Sequence, residues 1–221
     1  ATPQGLAGYT QPELLSYVLL GTLVSAPLFV YGMHQMAAEI SDGEFTNYLL
    51  RPLSYFGYWS ARMLASRLLL TVAGAFVLAL LLLLFRHHSF FWQTDPIAWL
   101  QLGILLIGSI VFVQVLDFLG TSFSFWMPQA HGARWLIMTV VQFLSGAYVP
   151  LDLFPGIAKT IFTHLPFASI VYSTIRVWIH PLDWNLFAQT LLTQWLWIAL
   201  SITLLAIVWK RGVKRYEAYG R

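Results

Sequence analysis

Asp117 is the one acidic residue well inside a long apolar run of this 221-residue chain, which has only 9 Asp and Glu against 12 Lys and Arg. A carboxylate at such a depth in hydrocarbon is costly, so it must face protein or water. Two readings follow: a cation or proton site, or an interhelical hydrogen bond to Gln114, Gln142 or a hydroxyl in another span. No second carboxylate at similar depth completes a relay. His87 and His88 are adjacent, and adjacent residues on a helix or strand point in different directions, which makes a poor chelate. They are read as outer-loop residues near the membrane interface. Cysteine is absent, which excludes disulfides and thiolate metal sites. The patterns G-x-x-x-x-G-K-[ST], H-E-x-x-H and G-x-S-x-G do not occur. The chain itself therefore carries no ATPase motif, and no catalytic or metal-ligating residue is assigned.

A second polar feature is the stretch EISDGEFTNYLLRPL, residues 39–53, set between apolar runs. Ser41 and Glu44 have capping-box spacing. Asp42 and Glu44 suit the positive end of a helix dipole, and Arg51 suits the negative end. Phe45, Tyr48 and Leu49 fall on one helical face. Pro52 disfavours helical geometry at Arg51. The pattern predicts a short amphipathic helix over 42–50 with an abrupt end. Two readings remain open: an interfacial connector lying on lipid, or a helix that docks into a groove on a soluble partner.

The elements that must position these residues are apolar helices. The chain is 58% hydrophobic and 10% charged, with a mean hydropathy of +0.70, and an average soluble domain carries about 25% charged residues. The bilayer is the expected solvent. A spanning helix needs about 20 mostly apolar residues, and spans are expected at 14–33, 68–85, 97–126, 135–150 and 188–209. Residues 153–182 are apolar but broken by Pro155 and Pro166 and interrupted by Lys159, His164, Arg176 and His180. Each half is too short to cross, so an outer re-entrant helical hairpin is expected. The expected fold is an all-α polytopic membrane helix bundle, with 1–221 as a single transmembrane domain.

Orientation follows from the cations. With the tail 210–221 in the cytoplasm, the inner segments hold Arg51, Arg62, Arg67, Arg134 and the tail cations, against Arg86, Lys159 and Arg176 outside. Five spans place residue 1 outside, and charge parity predicts one further span upstream. Small pairs such as Gly21 with Ser25 and Gly120 with Ser124 suit close helix packing. The tryptophans suit the headgroup layers.

The residue patterns also resemble a family. Ile40-Ser41-Asp42-Gly43-Glu44 followed by Leu49-Leu50-Arg51-Pro52-Leu53 is similar to a cytoplasmic segment of ABC-2 type exporter permeases. The match is to the daunorubicin-export-like branch, whose ATPase is encoded separately. GAYVPLDLFPGIAKTIFTHLPF, residues 146–167, and the basic ending Lys214 to Gly220 resemble two further family elements. Gly8-Tyr9-Thr10 resembles the outer turn after the family's first span, so six spans are implied with the first absent here.

The resemblance implies a permease subunit of an ATP-driven exporter in the bacterial cytoplasmic (inner) membrane, multi-pass, with a cytoplasmic C-terminus. It implies two copies of an ABC ATP-binding subunit carrying ATP and Mg, and a second permease, the same or similar. Coupling falls to Ser41, Asp42, Gly43, Glu44, Phe45, Tyr48, Leu49, Arg51 and Pro52. The outer gate falls to Tyr148, Pro150, Leu151, Phe154, Pro155, Pro166 and Phe167, and Asp117 and Gln142 are the intramembrane polar residues. The implied cargo is amphiphilic, drug-like or lipid-linked. The alternatives are an ATP-independent carrier or lipid scramblase, an intramembrane enzyme, and a structural subunit of a larger complex. A carrier should show paired intramembrane charges. An enzyme should show reactive groups clustered at one depth.

Overall fold

A computed structural model describes residues 8–30, 32–49, 54–84, 90–127 and 131–216. Helix starts follow local chemistry. In α1 (Gln11–Leu28) the Glu13 carboxylate accepts from the Thr10 backbone N–H at 2.7 Å, satisfying a donor that the helix end leaves free. Next come α2 (Gly32–Ser41), the single turn α3 (Thr46–Leu49) and the long α4 (Tyr55–Leu84). The Asp95 side chain caps α5 (Pro96–Ser122) by accepting from the Ile97 N–H at 2.9 Å, with Pro96 where its missing N–H costs nothing. After α6 (His131–Leu144) lie two short helices, α7 (Gly156–His164) and α8 (Tyr172–Ile179). The last, α9 (Trp184–Arg215), is capped by Asp183 through the Leu186 N–H at 2.8 Å. Lys214 and Arg215 end it, opposite the partial negative charge of its carbonyls.

The described residues form a bundle of helices. Among them, three helices are long and apolar enough to cross a membrane: Tyr55–Leu81, Pro96–Phe125 and Trp184–Arg215. Half of the apolar window of α5 is buried, against 6% for α4 and 17% for α9. So α5 is the central helix, and α4 and α9 turn apolar faces outward. α1 ends at Leu28 with Pro27 in its last turn, where the sequence predicts apolar helix to 33. α6 ends at Leu144 because Gly146 takes φ +77° and turns the chain. A side chain at Gly146 would press on Tyr172 Cβ, and its carbonyl accepts from the Tyr17 hydroxyl at 2.8 Å. α4 begins at Tyr55, well before the expected 68, and so carries Arg67 within the bundle.

The core has two ends. At one, Met36, Ile40, Phe45, Trp59 and Met63 pack with Phe118 of α5 and Leu205 of α9. At the other, Tyr9, Tyr17, Leu151, Tyr172, Trp178 and Phe112 form a second cluster. Between α5, α8 and α9 lies a buried polar node. The Gln194 amide donates to the Leu105 and Ser169 carbonyls at 3.1 and 3.0 Å. Ser109 Oγ sits 3.2 Å from Thr174 Oγ1. Such groups cost least in a core where they bond one another; the Gln194 amide nitrogen is bonded in this way, while its Oε1 has no partner among the described residues.

Candidate functional site

At the α2–α3 end, the predicted helix over 42–50 is a turn at Asp42–Phe45 followed by the single helical turn Thr46–Leu49. Ser41 closes α2, its hydroxyl donating back to the Ala37 carbonyl at 2.9 Å, so it does not start a new helix. Gly43 adopts φ +84°, the left-handed region that glycine enters without steric cost. The Phe45 N–H then bonds the Glu39 carbonyl at 3.0 Å. Arg51 and Pro52, also read as coupling residues, lie outside the described residues.

The result separates two kinds of side chain. Asp42, Glu44 and Asn47 are exposed. Phe45 is 2% exposed. Its ring meets Tyr55, Phe125, Trp209 and Tyr216 edge-on at 5.1, 5.8, 5.6 and 5.3 Å, the geometry that the aromatic quadrupole favours. Tyr48 is half-buried, and its hydroxyl donates to Glu39 Oε1 at 3.3 Å. Trp59 Nε1 donates to Glu39 Oε2 at 2.9 Å, and the Arg62 guanidinium covers the Trp59 ring at 4.8 Å. Burial raises the Glu39 carboxyl, partly offset by these two hydrogen bonds. Burial, together with the Glu39 charge, pushes the Tyr48 phenol up to about 12.

At the opposite end the residues read as an outer gate divide. Pro150 and Leu151 are buried. Phe154, Pro166 and Phe167 are half-buried, with Phe154 edge-on to Phe143 and Phe162. Tyr148 and Pro155 are exposed. Their centre is a residue the sequence reading passed over. Asp152 Oδ2 accepts from the Tyr9 hydroxyl at 2.9 Å and the Tyr172 hydroxyl at 2.7 Å. Its Oδ1 pairs with Lys159 Nζ at 2.9 Å. Burial raises the Asp152 carboxyl, but the bonds from Lys159, Tyr172 and Tyr9 and the charge of Arg176 outweigh it and hold it below its ordinary value. Burial and the same carboxylate drive the Tyr9 phenol well up.

Between the two ends, Arg67 Nη2 lies 3.3 Å from Asp117 Oδ2. Arg67 Nη1 donates to Gln114 Oε1 at 2.8 Å. Arg67, counted by position among the inner cations, stands on α4 because that helix starts at Tyr55, and there it meets Asp117. Gln142 is half-buried on α6, and its carbonyl accepts from Ser145 at 2.7 Å.

The profile of the family described as ABC-2 family transporter protein matches residues 2–220. This chain belongs to the ABC-2 transporter family. It is a multi-pass membrane permease subunit of an ABC transporter. Members of the ABC-2 family are membrane components that work with an ATP-binding subunit and are not ATPases themselves. No curated protein and no solved structure matches the chain at a significant level. In this ABC-2 permease the polar residues missed from sequence are Glu39, Asp152, Tyr9, Tyr172 and Arg67. Asp152 was adjacent to named gate residues and Glu39 opened the quoted stretch. Tyr9, Tyr172 and Arg67 gave no local signal, because their partners are distant in sequence.

Proposed function

We propose that this ABC-2 permease serves an exporter of the daunorubicin-export-like branch, driven by a separately encoded ATP-binding subunit. The Asp42–Leu49 segment receives the push of that subunit, and the Asp152 region forms part of the external gate. Two ATP-binding subunits carry ATP and Mg, and a second permease completes the pathway in the bacterial inner membrane. The C-terminus is cytoplasmic, and the cargo is an amphiphile. The reading rests on the family match, on the cation distribution, and above all on Phe45. Its ring is buried against α4, the end of α5 and α9, while Asp42 and Glu44 beside it stay exposed. A partner that grips the exposed carboxylates moves the buried ring, and with it three helix ends. A re-entrant position for α7 and α8 fits their lengths of 9 and 8 residues, about 12–14 Å each at the helical rise.

Gentle affinity purification from membranes, followed by mass spectrometry, tests this. The expected result is a stoichiometric ATP-binding subunit, lost on Asp42→Lys combined with Glu44→Lys while the permease stays in the membrane. A preparation free of any ATP-binding subunit, in several detergents and in nanodiscs, would overturn the reading.

A further inference from the structure

A groove of about 270 Å³ runs along α1 between α4 and α5. Its walls are Leu20, Leu23, Leu106 and Ile110, with Trp99 at one end and Arg67 at the other. From Ser16 to Leu28 the α1 wall measures about 18 Å at the helical rise. One leaflet of hydrocarbon is about half of the roughly 30 Å core. The groove thus matches a single acyl chain in length, and one of its walls is α4, whose apolar face is turned outward.

The Arg67 end has the chemistry of a headgroup site. Arg67 is 4% exposed. Its Nη atoms bond Gln114, Asp117 and the Leu28 carbonyl, but its Nε–H has no partner among the described residues. Buried N–H groups without an acceptor are rare, and a charged one is especially costly. From Leu68 to Leu84, α4 carries no charge, about 25 Å of hydrocarbon-compatible helix. Arg67 therefore lies where that stretch ends, at the level of lipid ester and phosphate oxygens.

We propose that the groove holds one acyl chain of a membrane phospholipid, with an ester or phosphate oxygen of that lipid accepting from the Arg67 Nε–H. The apolar walls take the chain, and the guanidinium fixes its depth. The inference stands apart from ATP coupling, since nothing in it requires transport.

The test uses the full protein in nanodiscs of phosphatidylcholine with a diazirine in the acyl chain. Photolabel is expected on Leu20 and Leu106 in the groove as well as on Leu69 and Phe76, which are 72% and 73% exposed. Label on Leu69 and Phe76 with Leu20 and Leu106 protected would mean that a protein segment fills the groove, and would overturn the proposal. In detergent, native mass spectrometry of the wild type is expected to retain one phospholipid per chain. Leu23→Trp fills the groove and should abolish retention. Arg67→Lys keeps a charge beside Asp117 but removes the Nε–H and merges the two Nη donors into one ammonium, and should weaken retention about tenfold, as for one charged hydrogen bond. Equal retention in all three proteins would also overturn the proposal. Should Arg67→Lys fail to fold, the photolabel pattern and Leu23→Trp still decide.

Discussion

Phe45, in the turn after α2, meets Trp209, near the end of α9, edge-on at 5.6 Å. The same indole ring lies 4.6 Å from Phe56 and 5.2 Å from Phe125. A turn, the first residues of α4, the short turn that follows α5 and the end of α9 therefore share one aromatic cluster. Gly212 permits it, because any Cβ there would collide with the Phe125 ring.

Phe45→Ala should empty the centre of that cluster. Buried Phe→Ala changes cost about 3–5 kcal/mol. The expected outcome is a lower unfolding temperature of the purified permease. In proteoliposomes with the ATP-binding subunit, transport should fall by more than ATP hydrolysis. Equal loss of both would show that Phe45 only holds the fold.

Asp152→Asn should expose the acid sensitivity of the Asp152–Tyr9–Tyr172–Lys159 contacts. The folded-state carboxyl lies below its ordinary value. Its stabilisation is thus present above the unfolded pKa, about 3.9, and is lost as pH falls through the lower folded one. The variant should unfold at a lower temperature than wild type at pH 7, and the gap should narrow below about pH 4. A gap constant with pH would show that the charge is not what matters.

Asp117→Asn should leave the Arg67 charge without its partner. Breaking one side of a buried pair costs about 3–5 kcal/mol, whereas an apolar replacement of both sides is often tolerated. The double change Arg67→Met with Asp117→Leu should therefore unfold at a higher temperature than the single one. If the single variant matches wild type, the pair contributes nothing to stability.

Gly108→Ala should strain the contact between α5 and α9. A Cβ at Gly108 would collide with the Gln194 side-chain amide. Overpacking of this kind costs about 1–3 kcal/mol. Gln194→Ala should remove the collision, so the two changes together should destabilise less than their sum. Additivity would place the two residues out of contact.

The all-helical membrane fold was legible because apolar runs of spanning length have few other uses. Helix ends were legible where the chemistry is local, as at Asp95 with Pro96 and at Asp183. The 42–50 segment was legible as a feature and misjudged in form. Ser41 and Glu44 have capping-box spacing, but Gly43 is free to take a positive φ, and burial of Phe45 rewards a turn over a longer helix. Phe45 belonged to the named set, while its neighbours Trp209 and Phe125 did not, since nothing local joins α3 to the ends of α5 and α9. The Arg67–Asp117 pair was missed for a related reason. Arg67 directly precedes an uncharged run, and hydropathy alone marks it as outside the span. A buried acid on the adjacent helix makes its burial against protein less costly.

One helix, α9, touches both the Phe45 cluster, through Trp209, and the polar node with α5 and α8, through Gln194. About 22 Å of continuous helix separates the two contacts. Between them Ile198 and Leu205 are buried in the two core clusters, so α9 is held along its length rather than at one point. A single unbroken rod therefore ties the ring cluster beside the exposed Asp42 and Glu44 to the amide wedged between α5 and α8, and whatever shifts one contact loads the other.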